Sequence, residues 1–316
     1  MNNRVVMLVL AAAIALAGIS CVQRDETKPG KKLAAVTTLF PLYDFAKRVA
    51  GERADVSLLL PPGAEPHGFE PRPADILRLN RADVFLYTSP AMEPWAADIL
   101  KGLQNPGLEV VDTSRGLAAS GGRGDKDPRH DHGDGHGRPA AADPHIWLDF
   151  SNAVRMVEAV RDGFVKKDPA GRDVYERNAA AAIEELKTLD ERFRAGLHDC
   201  EKKLLVNGGH FAFDYMAKRY GFRYVSVYGV SPDAEPTAAE LARITRLIRQ
   251  NGLRHLFHEE LVSPKLAETL SRESGVSLLK LHPAGNLTRE QLDRGETFRT
   301  LMEQNLDNLR TGMRCR

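Results

Sequence analysis

The chain of 316 residues has only three cysteines, Cys21, Cys200 and Cys315, and no Cys-x-x-Cys pair. Thiolate metal fingers and dithiol redox motifs therefore have no residues to build on. An excess of charge of one sign is also missing, with 44 Lys and Arg against 43 Asp and Glu. With no basic cluster either, nothing points to nucleic acid as a partner. The apolar run Val5–Ala17 falls short of the about 20 residues needed to span a bilayer as a helix. Signatures of catalysis are absent too. His258-Glu259-Glu260-Leu261-Val262 lacks the second His of the zinc-protease helix. No Gly-x-Ser-x-Gly elbow or phosphate-cradling loop occurs.

What is present begins with an export signal. Residues 1–20 hold one charge, Arg4, then the apolar run, then the small residues Gly18 and Ser20 before Cys21. This is the pattern of a secretory signal peptide. A cysteine directly after it suggests lipid attachment at Cys21, although Gly18 stands where Leu is usual; ordinary cleavage is the alternative. Residues 21–32 are polar, as a solvated tether would be. In the oxidising compartment this implies, Cys200 and Cys315 are expected to pair in a disulfide.

Beyond the tether the pattern reads as two α/β lobes. Residues 33–168 contain strand-like Ala54–Leu60, helical Ala74–Leu79 and strand-like Asp83–Thr88 and Leu108–Val111, separated by Pro, Gly and Asp/Thr turns. Residues 120–142 are Gly, Asp, His and Ala without apolar periodicity, a composition expected to stay disordered. Residues 169–198 read as one long connecting helix, with Ile183, Leu186, Leu189 and Phe193 three and four apart. In residues 199–316, strands at Lys203–Val206, Tyr224–Tyr228, Leu253–Phe257 and Val276–Leu281 alternate with helices at His210–Tyr220, from Thr237 to Asn251 and from Ser263 to Gly275. Thr237 and Glu240 form a capping box. Such alternation implies mainly parallel sheets flanked by helices.

Four histidines stand alone in Gly- or Pro-bearing contexts: Glu65-Pro66-His67, Asp143-Pro144-His145, Gly208-Gly209-His210 and Leu281-His282-Pro283. Three of them follow strands, and ligands of open α/β sheets bind beyond the carboxyl ends of strands. Neutral imidazole is the commonest protein ligand of zinc, so one cleft between lobes could gather all four. Glu65 is a possible additional ligand or base, and Glu259 a buried supporting carboxylate. Between His67 and His145, His130, His132 and His136 lie in the polar tract and could bind a further zinc more weakly.

Pro61-Pro-Gly-Ala-Glu-Pro-His67-Gly-Phe-Glu-Pro, Asp143-Pro-His145-Ile-Trp-Leu-Asp149, His210-Phe-Ala-Phe-Asp-Tyr215 and Phe257-His-Glu259 resemble the zinc- and manganese-binding proteins of bacterial ABC importers, the ZnuA/TroA-like cluster. The resemblance runs from about Leu33 to Leu309. It implies two lobes joined by a long rigid helix, metal ligands at His67, His145 and His210, and delivery of metal to a membrane permease. The family's last ligand is usually an Asp in Leu-Asp-Pro, where this chain has His282, so His282, Glu65 or water fills the fourth place. Imidazole at position 210 favours zinc over manganese, and the His-rich tract is typical of the zinc members. The resemblance implies a monomeric, non-enzymatic Zn(2+) carrier, in the periplasm or on the outer face of the cytoplasmic membrane. A manganese or iron carrier, a zinc-dependent adhesin or store, and an exported zinc hydrolase are the alternatives.

Overall fold

The computed structural model describes residues 32–117, 143–230 and 236–316. The expected signal peptide, Cys21, the tether, His130, His132 and His136 lie outside the described residues. Leu33–Arg316 forms one compact unit.

The first lobe starts with β1 (Leu33–Thr37), α1 (Phe40–Ala50) and β2 (Ala54–Leu58). Pro41 opens α1, and Gly51, at φ 54°, ends it in a conformation that glycine tolerates. α2 (Pro73–Leu79), β3 (Val84–Tyr87), α3 (Ala96–Gly102) and β4 (Glu109–Asp112) follow. The sheet order is β2-β1-β3-β4 and every pairing is parallel. Central β3 is apolar on both faces, with Val84, Phe85 and Leu86 all buried, as a sheet covered on both sides requires.

α4 (Phe150–Lys167) and α5 (Arg172–His198) come next. Asp149 caps α4 by accepting from Ser151 N at 2.7 Å. α5 has 27 residues, about 40 Å of helix. Its buried stripe is Tyr175, Ala179, Ala182, Leu186, Leu189, Phe193 and Leu197. That stripe makes α5 more than a connecting rod. It packs on α1 and α4 along the first lobe and on the final helix of the second.

The second lobe comprises β5 (Leu204–Asn207), α6 (Asp214–Tyr220), β6 (Arg223–Ser226), α7 (Ala238–Gln250), β7 (His255–His258), α8 (Lys265–Ser274), β8 (Ser277–Lys280), α9 (Arg289–Asp293) and α10 (Phe298–Met313). Its sheet order, β6-β5-β7-β8, is again all parallel. The expected capping box at Thr237 and Glu240 forms. The helix expected from His210 starts only at Asp214. The His210 carbonyl accepts from Tyr224 Oη at 2.8 Å and Asn207 Nδ2 at 3.2 Å, so helical bonding has no hold on it. Cys200, just past α5, and Cys315, just past α10, are disulfide-bonded.

The main apolar core runs through both lobes, and each lobe holds a smaller cluster of its own on its sheet. At its centre Phe45 of α1 meets Phe298 of α10 edge-on at 5.2 Å, and Phe150 of α4 meets Phe193 of α5 at 5.1 Å. Close packing of aromatic rings across four helices resists relative sliding. These rings tie helices of both lobes into one packed cluster.

Candidate metal centre

Each of the candidate histidines His67, His145 and His210 sits on a loop whose ends are fixed by regular structure. His67 lies in the connection from β2 to α2. His145 directly precedes the short 3-10 turn Ile146–Leu148 that leads into α4. His210 follows β5 on the Asn207-Gly208-Gly209 turn, and those glycines are required by space. A Cβ on Gly208 would lie 2.7 Å from Ala267 Cβ, and one on Gly209 1.9 Å from Glu259 Oε1.

The three rings converge. His145 Nε2 lies 3.2 Å from His67 Nε2 and 3.0 Å from His210 Nε2, and the three residues' ligand atoms all fall within 4.8 Å of one another. Tetrahedral zinc with Zn–N near 2.0–2.1 Å sets neighbouring nitrogens about 3.3 Å apart. Three lone pairs aimed at one point fit a cation better than they fit each other. The cavity they face measures about 20 Å³, enough for one ion or water-sized particle and far too small for an organic substrate. Met92, Trp147, Leu261 and Val262 supply its apolar wall.

Buried carboxylates fix two of the rings from behind. Asp143 Oδ1 accepts from the His145 backbone N at 3.0 Å and lies 2.8 Å from its Nδ1. Glu259, directly after β7, places Oε2 2.5 Å from His210 Nδ1, while its Oε1 accepts from Asn207 Nδ2 at 2.7 Å. A proton held at Nδ1 leaves Nε2 free to bind metal, and the carboxylate raises its donor strength. Burial holds His145 well below its ordinary 6.5. Burial also pulls on His210, but the adjoining Glu259 carboxylate more than offsets it and the pKa rises. Burial lifts Asp143 to about 7.

The four expected histidines become three. His282 is buried, but its Nδ1 accepts from Ala284 N at 2.9 Å, and it does not belong to the converging group. Its backbone is clamped by Asn305, which accepts from His282 N and donates to His282 O, both at 2.8 Å. The ring thereby shapes the turn at Ala284, where φ is 58°. That turn starts a strap across to the first lobe. Trp147 Nε1 donates to Pro283 O at 2.7 Å and Phe40 N to Gly285 O at 3.1 Å. Asn286 Nδ2 donates to Pro61 O and Ala64 O at 2.7 and 2.8 Å, and Gly63 N to Leu287 O at 2.7 Å. On the other side of the site, Arg219 of α6 donates to Asp149 at 2.8 Å. Glu65 reaches the cavity, with Oε1 4.0 Å from His67 Nε2, while its Oε2 accepts from Gly68 N at 2.9 Å. Asn207, Asn286 and Asn305 carry no sequence signal of these roles. Asp143, two residues before His145, and Glu259, at a strand end, do.

This arrangement of two parallel-sheet lobes around a histidine triad is that of a metal-capturing protein. Residues 35–312 match the family described as zinc-uptake complex component A, periplasmic, and the chain belongs to that family. It is 37% identical over 305 residues to the zinc-binding lipoprotein AdcA of Streptococcus pneumoniae, covering 96% of this chain and 60% of that protein. It is 35% identical over 310 residues to the high-affinity zinc uptake system protein ZnuA of Bacillus subtilis, covering 97% of each. The fold matches the Zn(II)-bound ZnuA-like domain of Streptococcus pneumoniae AdcA with a TM-score of 0.76 at 36% identity, over 89% of this chain and 99% of that one. The chain thus spans about 60% of the length of AdcA, which carries sequence beyond the shared part.

Proposed function

We propose that this protein captures one zinc ion between its lobes, outside the cytoplasmic membrane, and delivers it to the permease of an ABC importer. The observation that carries the reading is the convergence of three imidazole nitrogens, from two lobes, on a cavity of about 20 Å³. Nitrogen donors favour zinc over manganese, which prefers carboxylate oxygen. Relatives named for zinc binding and zinc uptake support the same assignment.

In this reading His67, His145 and His210 hold the ion, and Glu65 or a water completes the tetrahedron. Asp143 and Glu259 keep the Nε2 lone pairs pointed inward. His130, His132 and His136 act as an auxiliary collecting site, and Cys21 carries the lipid that keeps a monomeric carrier at the membrane. A hydrolase is disfavoured by cavity size, since peptide and ester substrates have no room beside the ion. The test is a zinc titration of metal-free protein against a competing chelator, followed by the fluorescence of Trp147, whose ring centre is 5.4 Å from that of His145. Sub-micromolar binding of one ion, abolished in a His67→Ala, His210→Ala double variant, is expected. Affinity weaker than micromolar, or an unaffected double variant, would sink the proposal.

A further inference from the structure

A second concavity lies on the outer side of the loop that carries Glu65 and His67. This groove of about 500 Å³ is lined by both stems of that loop, Leu58–Pro62 and Arg72–Arg78, and by Arg289 and Leu292 of α9 from the other lobe. Three arginines, Arg72, Arg78 and Arg289, therefore line one groove. Arg78 is anchored, donating to Leu58 O at 3.2 Å and lying 3.8 Å from Asp75. Arg72 and Arg289 are exposed, and neither forms an ion pair among the described residues. Lys47 adds a cation at the rim, 5.1 Å from the ring centre of Tyr43, another lining residue. The carboxylate in the lining, Asp75, is buried and already accepts from Arg72 N at 2.9 Å. Of the acids on α9, Glu290 is taken by Arg294, and Asp293 at the far end of the helix is outside the lining, so the lining arginines outnumber its one carboxylate. In a chain whose charges otherwise balance, a groove with this surplus of cations is selective for negative charge.

The position of the groove adds a second argument. Pro61, Gly63 and Ala64 are the first-lobe side of the hydrogen-bonded strap to Asn286 and Leu287. Thr288, the next residue, caps α9. Arg72 and Arg289 thus stand on opposite lobes, and an occupant touching both spans the seam beside the metal loop.

We propose that this groove docks a carboxylate-rich segment of a partner protein, bridging the lobes through Arg72 and Arg289. The proposal needs the delivery reading above only for what the partner does with the metal. A protein occupant is favoured over a lipid surface because the cations line a concavity, which an extended chain can enter and a flat headgroup layer cannot.

The test uses the full mature chain and a fluorescent hexaglutamate peptide, read by anisotropy at low salt, with the Arg72→Glu, Arg289→Glu double variant alongside. Both residues are exposed, so the variant should keep the parent's melting temperature and its zinc affinity within about twofold. Peptide binding should fall at least tenfold in the variant, and a hexalysine peptide should then bind the variant better than the parent. Equal hexaglutamate binding by parent and variant would overturn the proposal. So would binding of phosphatidylglycerol vesicles, or of inorganic phosphate, that depends on both arginines when hexaglutamate binding does not. Zinc titration of the same samples keeps the two readings apart, because loss of zinc binding in the parent would refute metal capture and leave the groove result standing.

Discussion

Replacing Asp143 with Asn should make the metal-free protein more stable at pH 8 and its grip on zinc weaker. The residue is 2% exposed, and its Oδ2 finds no hydrogen-bond partner among the described residues. Burial, partly countered by the His145 amide and by the charges of His210 and Lys218, lifts its pKa from 3.8 to about 7. A carboxyl whose pKa is raised by folding favours the folded state most at low pH, and that advantage is lost as pH rises through about 7. The gap of about three pH units corresponds to ~4 kcal/mol at most. Asn keeps the shape, and its Oδ1 still accepts from the His145 amide. The amide group it buries costs about 1–3 kcal/mol. A net gain of about 1–3 kcal/mol at pH 8 remains, fading by pH 4 as the native carboxyl takes up its proton. Zinc binding moves the other way, since a metal-bound imidazole without its carboxylate partner typically loses about 10–100-fold in affinity. Calorimetry of chelator-treated wild type and variant at pH 4 and 8, paired with zinc competition titrations, measures both. A variant that is less stable at pH 8 while binding zinc as tightly as wild type would refute the reasoning.

Other outcomes follow from the same geometry. Gly209→Ala puts a Cβ where Glu259 Oε1 now sits, so the carboxylate must leave His210, and zinc affinity should drop about tenfold or more in a competition titration. Because the pKa of His210 is raised and that of His145 is depressed, His210 is the ring whose proton competes with zinc above pH 6.5. Below the pKa of His210, affinity should fall about tenfold per pH unit, and calorimetric titration in two buffers should show about one proton released; pH-independent affinity between 5.5 and 7.5 would contradict this. The disulfide closes a separation of 115 residues, and a Cys200→Ser, Cys315→Ser variant should lose about 2–4 kcal/mol in denaturant unfolding.

Much of this site is written locally. Gly and Pro beside His67, His145 and His210 mark backbones held in turns, and their places beyond strand ends point to one sheet edge in each lobe. His282 shares the strand-end position yet does another job. Its role depends on Asn305, 23 residues away, and on the positive φ of Ala284, neither of which periodicity reveals. The helix after His210 starts four residues later than its apolar pattern suggests for a similar reason, because a tyrosine hydroxyl 14 residues on takes the carbonyl that a helix would use. The β-α-β alternation of the second lobe is plain because capping boxes and glycine stops punctuate it. β1 is five residues with two alanines, too short and too small-chained to stand out. α10 has a regular apolar stripe, Phe298, Leu301, Met302, Leu306 and Leu309, open to the spacing argument that finds α5, although the expected map ends at Leu281 without it. That α10 meets Phe45 and Phe150 across the lobes is a packing fact that no window of sequence contains.

The most direct test of the central claim is a crystal structure of the zinc-loaded protein with anomalous scattering recorded at the zinc edge. One strong peak bonded to the Nε2 atoms of His67, His145 and His210 at about 2.0–2.1 Å, with His282 still accepting from Ala284, is the predicted result. A principal zinc peak on His282, or one that omits any of the three histidines, would contradict the account.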